Sequence, residues 1–371
     1  MVFGRKSTSI APDGDAPARP APPAFGGGRS ARRRNRLAGV VAMATAVAAG
    51  GALALSLAFA GAASASTAHT AFQAKAGAKA AAARTRSGLP WASGGYLPAN
   101  TPAAAAAFAA WRGRPLDVVT AWGNRGTWQD IVDPGFLYQR FRGSPYTMAF
   151  GVAMLPEKVS GVSLEACADG TYNTYWRQFG RVITSYGLGN SIIRLGWEFN
   201  GGWYVWKATQ PATWAQCWQQ IVTSARSTAP GLRWNWNVNR GVTSGLADPT
   251  QAYPGNAYVN MIGVDSYDMW PTARTAAGWR VQLNGVQGLN YWLAFAEAHG
   301  KPFSVPEWGN VTTGSSAGGD SPQYVRDMRG FFEANASHLA YESTFQGTTV
   351  GGNYGVGTSV PNAAAAYKAG F

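Results

Sequence analysis

SIIRLGWEFNGGWYVW, residues 191–206, is the segment that decides how the rest of this chain is read. It opens on Ile192, Ile193 and Leu195, the composition of a buried strand. It then runs into Glu198, Asn200, two glycines and the aromatics Trp203, Tyr204 and Trp206. A carboxylate at the mouth of a buried strand, facing large flat side chains, suits chemistry on sugar rings: the acid moves a proton and the aromatic faces hold the ring. The same residues also fit a core strand followed by a solvated glutamate, so the decision rests on what flanks them.

On either side, from about Ser87 to the C-terminus, short apolar runs alternate with longer amphipathic segments. Candidate strands are Leu89–Ser93, Asp117–Trp122, Tyr146–Ala153, Ile192–Trp197, Arg233–Val238, Met261–Val264, Phe303–Pro306 and Leu339–Ser343. Helical stripes lie between them: Trp176, Phe179, Val182, Ile183 and Tyr186; Trp214, Cys217, Trp218, Ile221 and Val222; Tyr291, Trp292, Phe295 and Ala296. Such stripes are core faces. Eight strands alternating with helices predict an α/β fold of the (β/α)8 TIM-barrel type over residues 87–371. A doubly wound open sheet is the alternative, but no glycine-rich phosphate loop follows an early strand.

Sixteen Trp and fifteen Tyr stand beside only 13% charged residues, which suits a neutral hydroxylated ligand better than a phosphate-rich one. The net charge of +13 is unevenly placed: residues 1–65 carry eight basic and two acidic side chains, and no dense Lys/Arg block follows. A nucleic-acid footprint needs such clustering, so no nucleic-acid partner is expected. Three histidines, none at metal-ligand spacing, argue against a structural zinc, a zinc hydrolase and a Ser-His-Asp triad. No metal or cofactor is expected, and carboxylates remain as the catalytic groups.

Residues 1–36 read as a disordered tail ending in the basic cluster Arg32-Arg33-Arg34-Asn35-Arg36. Residues 37–65 form an apolar segment ending in Ala63-Ser64-Ala65, either a cleaved secretory signal or an uncleaved membrane anchor. Residues 66–86 read as a linker. The expectation is therefore a monomer that is secreted or anchored to the outer face of the cell membrane. In an exported chain Cys167 and Cys217 are expected to form a disulfide. It would close a loop of about 50 residues and contribute about 3–4 kcal/mol; two separate buried thiols are the alternative.

Barrel chemistry sits at the C-terminal ends of the strands. Glu198 ends the fourth candidate strand, and KPFSVPEWGN (301–310), the seventh, ends in Glu307. Retaining glycosidases hold two carboxyls about 5–5.5 Å apart, one as acid/base and one as nucleophile. Asp265 and Asp268 could line the same site, Asp265 equally as an interior hydrogen-bonding residue. Along Trp234-Asn235-Trp236-Asn237-Val238-Asn239, alternation puts the Asn residues on one face and the Trp residues on the other. If the Asn face points inward, Asn237 or Asn239 could reach sugar hydroxyls; otherwise the Trp residues fill the interior. Trp122, ending the second strand, is a stacking candidate.

At these residues the chain resembles glycoside hydrolase family 26, the β-mannanase-type members of the retaining (β/α)8 clan. RLGWEFNGGWYVW (194–206) is similar to the family's strand-four motif and VPEWG (305–309) to its nucleophile motif. GVDSYDMW (263–270) is similar to the strand-six segment whose tyrosine hydrogen-bonds the nucleophile. The resemblance implies Glu198 as acid/base, Glu307 as nucleophile and Tyr267 as its partner. Arg194, Asn200, Trp203 and Trp308 would then shape the subsite, with Trp197, Trp206 and Trp270 in the same motifs as further substrate-binding candidates. The family usually places His before the acid/base, and the wider clan Asn; here it is Trp197, whose indole donates but does not accept. The expected partner is a polysaccharide, first a β-mannan, with a xylan, a mixed-linkage glucan or a cell-envelope polysaccharide as alternatives. A non-catalytic carbohydrate-binding barrel and a transglycosidase acting on the cell envelope are the competing functions.

Overall fold

Residues 85–349, 352–357 and 359–371 are described by a computed structural model. The basic tail, the apolar segment 37–65 and residues 66–84 lie outside the described residues.

Eight strands follow one another in chain order: β1 (Ala92–Tyr96), β2 (Val118–Trp122), β3 (Thr147–Val152), β4 (Ile192–Leu195), β5 (Arg233–Asn239), β6 (Met261–Tyr267), β7 (Phe303–Val311) and β8 (Leu339–Phe345). Each pairs in parallel with the next, and β1 pairs in parallel with β8 from Ala92↔Tyr341 to Tyr96↔Phe345. That last ladder closes the sheet into the (β/α)8 barrel expected. The outer layer comprises α1 (Pro102–Arg112), α2 (Trp128–Val132), α3 (Gly135–Phe141), α4 (Leu164–Ala168), α5 (Asn173–Ser185), α6 (Pro211–Arg226), α7 (Ala276–Asn284), α8 (Leu289–Ala298), α9 (Pro322–Ala334) and α10 (Pro361–Gly370). Strands covered on both faces read as near-continuous apolar runs, as all-buried β4 does.

Apolar content locates the strands but not their ends. β1 begins at Ala92 rather than Leu89, because buried Trp91 leaves the ladder to meet Phe332 and Phe371. β4 stops at Leu195, two residues before Trp197, while β6, β7 and β8 run on to Tyr267, Val311 and Phe345. The helix stripes hold for α5 and α6. In α8 the buried set is Leu289, Trp292, Leu293 and Ala296, and Tyr291 is exposed. A hairpin that the strand pattern did not predict, β9 (Gly347–Thr349) and β10 (Gly352–Gly355), adds to the edge of β7 through Tyr354↔Val311.

The barrel interior is built in layers. Val118, Ala149, Ile192, Met261 and Tyr341 form the lowest, apolar layer. Above it, Thr120 donates to Ser343 at 2.8 Å, and Asn235 donates to Ser304 at 2.9 Å and to the Tyr341 hydroxyl at 3.0 Å. On β5 the Asn face therefore points inward, while Trp236 packs outward against Phe199, Trp292 and Phe295. β7 carries one extra residue. Against β6 its register runs Gly263↔Ser304 but Ser266↔Trp308, and it shifts against β8 as well. This bulge spans Pro306, whose missing N–H suits it to a break in the ladder. It lets Ser304 and Glu307, three residues apart, both face the interior.

Cys167 on α4 and Cys217 on α6 form the disulfide expected, with Cα atoms 4.9 Å apart. Among the described residues no helix is long and apolar enough to cross a membrane.

Candidate active site

Arg194, on β4, is completely buried in the layer above the polar plug. Its Nε donates to Asn237 Oδ1 at 2.7 Å, and its Nη2 donates to Asp265 Oδ2 at 2.8 Å and to Glu307 Oε1 at 2.5 Å. Its guanidinium also lies 5.1 Å from the Trp122 ring centroid. Burial alone would lower the Arg194 pKa, but Asp265 and Glu307 outweigh it and push it up, so the cation is permanent. Burial raises the Asp265 carboxyl well above its usual range, with Glu307 and Glu198 adding to the rise and Arg194 opposing it. Two acids thus share one base.

Glu307 is held at both oxygens. Arg194 takes Oε1, and the Tyr267 hydroxyl donates to Oε2 at 2.6 Å. Burial, reinforced by the neighbouring Glu307 and Asp265 charges, keeps that phenol protonated. A cation on one oxygen and an O–H on the other fix the direction of the carboxyl group.

Glu198 occupies the same end of the barrel, 5% exposed, with a φ of +52°. A glutamate in the left-handed region costs of order 1–3 kcal/mol, and such strain collects at functional sites. Trp203 Nε1 donates to its Oε2 at 3.2 Å, and the Asn239 amide donates to Oε1. Glu198 and Glu307 thus stand on β-ends three strands apart, above one buried ion cluster.

Half-buried aromatics ring this end. Tyr96 stacks on Phe345 at 4.6 Å and meets Trp122 edge-on at 4.6 Å. Trp122 fits because β3 offers Gly151, where a Cβ would lie 2.1 Å from its Nε1. Tyr354, from the hairpin, meets Tyr267 at 4.7 Å. Burial and the Glu307 charge push the Tyr96 hydroxyl up to about 12. Tyr96, Phe345 and Tyr354 were missed by sequence reading. For Tyr96 and Phe345 the signal was an aromatic at the last position of β1 and of β8, hidden by strand ends set too early; Tyr354 lies on the hairpin that the strand pattern did not predict.

The structure brings together Glu198, Glu307, Tyr267, Arg194, Asn237, Trp203 and Trp122 from the sequence candidates, with Asp265 and Asn239. Six others stand elsewhere. Trp308 faces outward because of the β7 bulge, buried among Tyr324, Phe332, Tyr367 and Phe371, and donates to Glu342 at 2.6 Å. Trp206 is completely buried beneath Trp197 and donates to its carbonyl oxygen at 3.1 Å. Trp197 is itself 4% exposed and donates its indole N–H to the Tyr204 hydroxyl at 3.0 Å. Asn200 is buried with its amide bonded to the Asn239 backbone. Trp270, 38% exposed, lies on the loop after β6. Asp268, also after β6, accepts from the Ala273 N–H.

The model of the Glycosyl hydrolase family 26 matches residues 190–307, the segment from the start of β4 to Glu307. Among solved structures, a modular endo-β-1,4-mannanase from Cellulomonas fimi is similar at 18% identity, covering 68% of this chain and 63% of that one, with a TM-score of 0.50. The GH26C protein of a Muricauda species is 15% identical, covering 74% and 83%, with a TM-score of 0.54. A fungal β-1,4-galactanase structure is 10% identical, covering 71% and 89%, with a TM-score of 0.50. The chain thus spans less than two thirds of the mannanase it matches. No curated protein sequence matches it. The resemblance to family 26 holds over the segment that carries both glutamates.

Proposed function

Taking the chain as a family 26 glycoside hydrolase, we propose that it is a retaining endo-β-glycosidase acting on a β-linked polysaccharide by double displacement. The observation that carries this reading is the grip on Glu307, with Arg194 on one carboxylate oxygen and Tyr267 on the other. A nucleophile must be aimed, and that pair aims it. Glu307 attacks the anomeric carbon while Glu198 protonates the leaving oxygen. Glu198 then takes a proton from the water that releases the sugar. Trp203 and Trp122 supply flat faces near the two glutamates.

β-Mannan is the first substrate to test, and the Trp197 indole, bonded to Tyr204 rather than exposed, is the reason to test xylan, mixed-linkage glucan and cell-envelope polysaccharide beside it. The basic cluster and apolar segment at residues 32–65 support action outside the cell. Glu307→Ala should abolish release of reducing ends, and Glu198→Gln should slow poor leaving groups far more than dinitrophenyl glycosides. Proton NMR of the first product should show the β-anomer. An α-anomer, or undiminished turnover by Glu307→Ala, would refute the mechanism.

A further inference from the structure

β4 pairs with β5 only at Ile192↔Arg233 and Ile193↔Trp234. It stays with β3 through Val152↔Leu195, and the Gly196 N–H donates to the Val152 carbonyl at 2.8 Å. Beyond Ile193 the chain therefore parts from β5, turning through two left-handed residues, Gly196 and Glu198, both at φ +52°. Three hydrogen bonds bring it back. The Glu198 N–H donates to the Asn237 carbonyl at 2.9 Å. Next, the Asn200 side chain stands in for a ladder residue: its Nδ2 donates to the Asn239 carbonyl at 2.9 Å, and its Oδ1 accepts the Asn239 N–H at 2.8 Å.

The far side of Asn200 is held as well. Its carbonyl accepts from the Leu246 N–H at 2.8 Å and from the Thr243 hydroxyl. Gly245 comes so close that a Cβ there would lie 2.4 Å from the Gly201 carbonyl oxygen. Only an amide side chain offers donor and acceptor side by side at this reach; Asp lacks the donor and Ser is shorter. The residue so clamped, Asn239, is the one whose own amide donates to Glu198 Oε1.

We propose that Asn200 and Asn239 are positioning residues, an amide clamp that holds Glu198 in its left-handed backbone and sets the pH at which it gives and takes its proton. The role of Glu198 rests on the glycosidase reading above; the clamp itself does not. An N–H donor on a carboxylate favours its ionised form. Asn239→Ser keeps the backbone that Asn200 grips and removes only that donor. In the full-length protein the basic limb of the kcat/KM profile should move up by about one pH unit, the size of one hydrogen bond to a charged group. In Asn200→Asp, hydrogen exchange of the amides of residues 196–203 should quicken by about tenfold or more, as local opening becomes easier. Unchanged exchange overturns the clamp whatever the activity, and an unmoved basic limb overturns the control of the proton. Faster exchange combined with full activity in Glu198→Gln would keep the clamp and discard the acid/base role.

Discussion

Tyr267 and Arg194 divide the two oxygens of Glu307 between them, so each can be removed without removing the other. Tyr267→Phe keeps the ring and its contact with Tyr354 and deletes the hydrogen bond to Oε2. A hydrogen bond to a charged group is worth about 1.5–3 kcal/mol, so kcat on an aryl glycoside should fall by about ten- to a hundredfold, and a change under twofold would show that Arg194 suffices. At this scale the sequence was informative where a residue type is rare. Two glutamates at strand ends stand out in a chain with 13% charged residues. It misled at Trp308 and Trp206, because an aromatic near a strand-end glutamate looks the same in sequence whether it faces the barrel mouth or a helix. Arg194 was legible as a candidate, but its bonds to both acids were not, since they join β4, β6 and β7.

Helix α4 is short, five residues, and the disulfide from its Cys167 fastens it to the long α6. The bond encloses β4 and the Glu198 loop in a closed segment of 50 residues. In the chain-entropy account such a closure contributes about 4 kcal/mol. The Cys167→Ser, Cys217→Ser double variant should therefore melt about 8–16 °C lower by calorimetry, with kcat at 25 °C little changed. Elements of this kind were readable from their periodicity, as α5 and α6 were, and the order of all eight strands came from alternation alone. Strand ends did not, because an end is set by the neighbour's ladder: β6 reaches Tyr267 only by pairing with Gly309 on β7.

For the whole molecule, one buried group that bears on stability lies outside the site. Glu342 faces the helix layer, where Trp308 donates to it and Arg112, Ser93 and Trp91 lie near. Burial raises its pKa from 4.5 to about 7, against the lowering effect of those neighbours. The folded state then binds more protons than the unfolded one between those values, so stability is greatest below pH 4.5 as far as this group goes. It is lost as pH rises to about 7, by about 3 kcal/mol. Glu342→Gln should flatten the dependence of Tm on pH across that window; an equal slope in both proteins would assign the dependence elsewhere. Composition foretold the aromatic barrel but could not foretell this carboxyl, which reads in the sequence as one more strand residue. The extra residue in β7 reaches further still. Below Pro306 the strand keeps one inside-outside phase and above it the opposite, so the direction of Glu307 is a property of the bulge as much as of the glutamate. Anyone transplanting VPEWG into another barrel would have to carry the broken ladder with it; a regular strand of the same letters would aim Glu307 at the helices and Trp308 into the barrel.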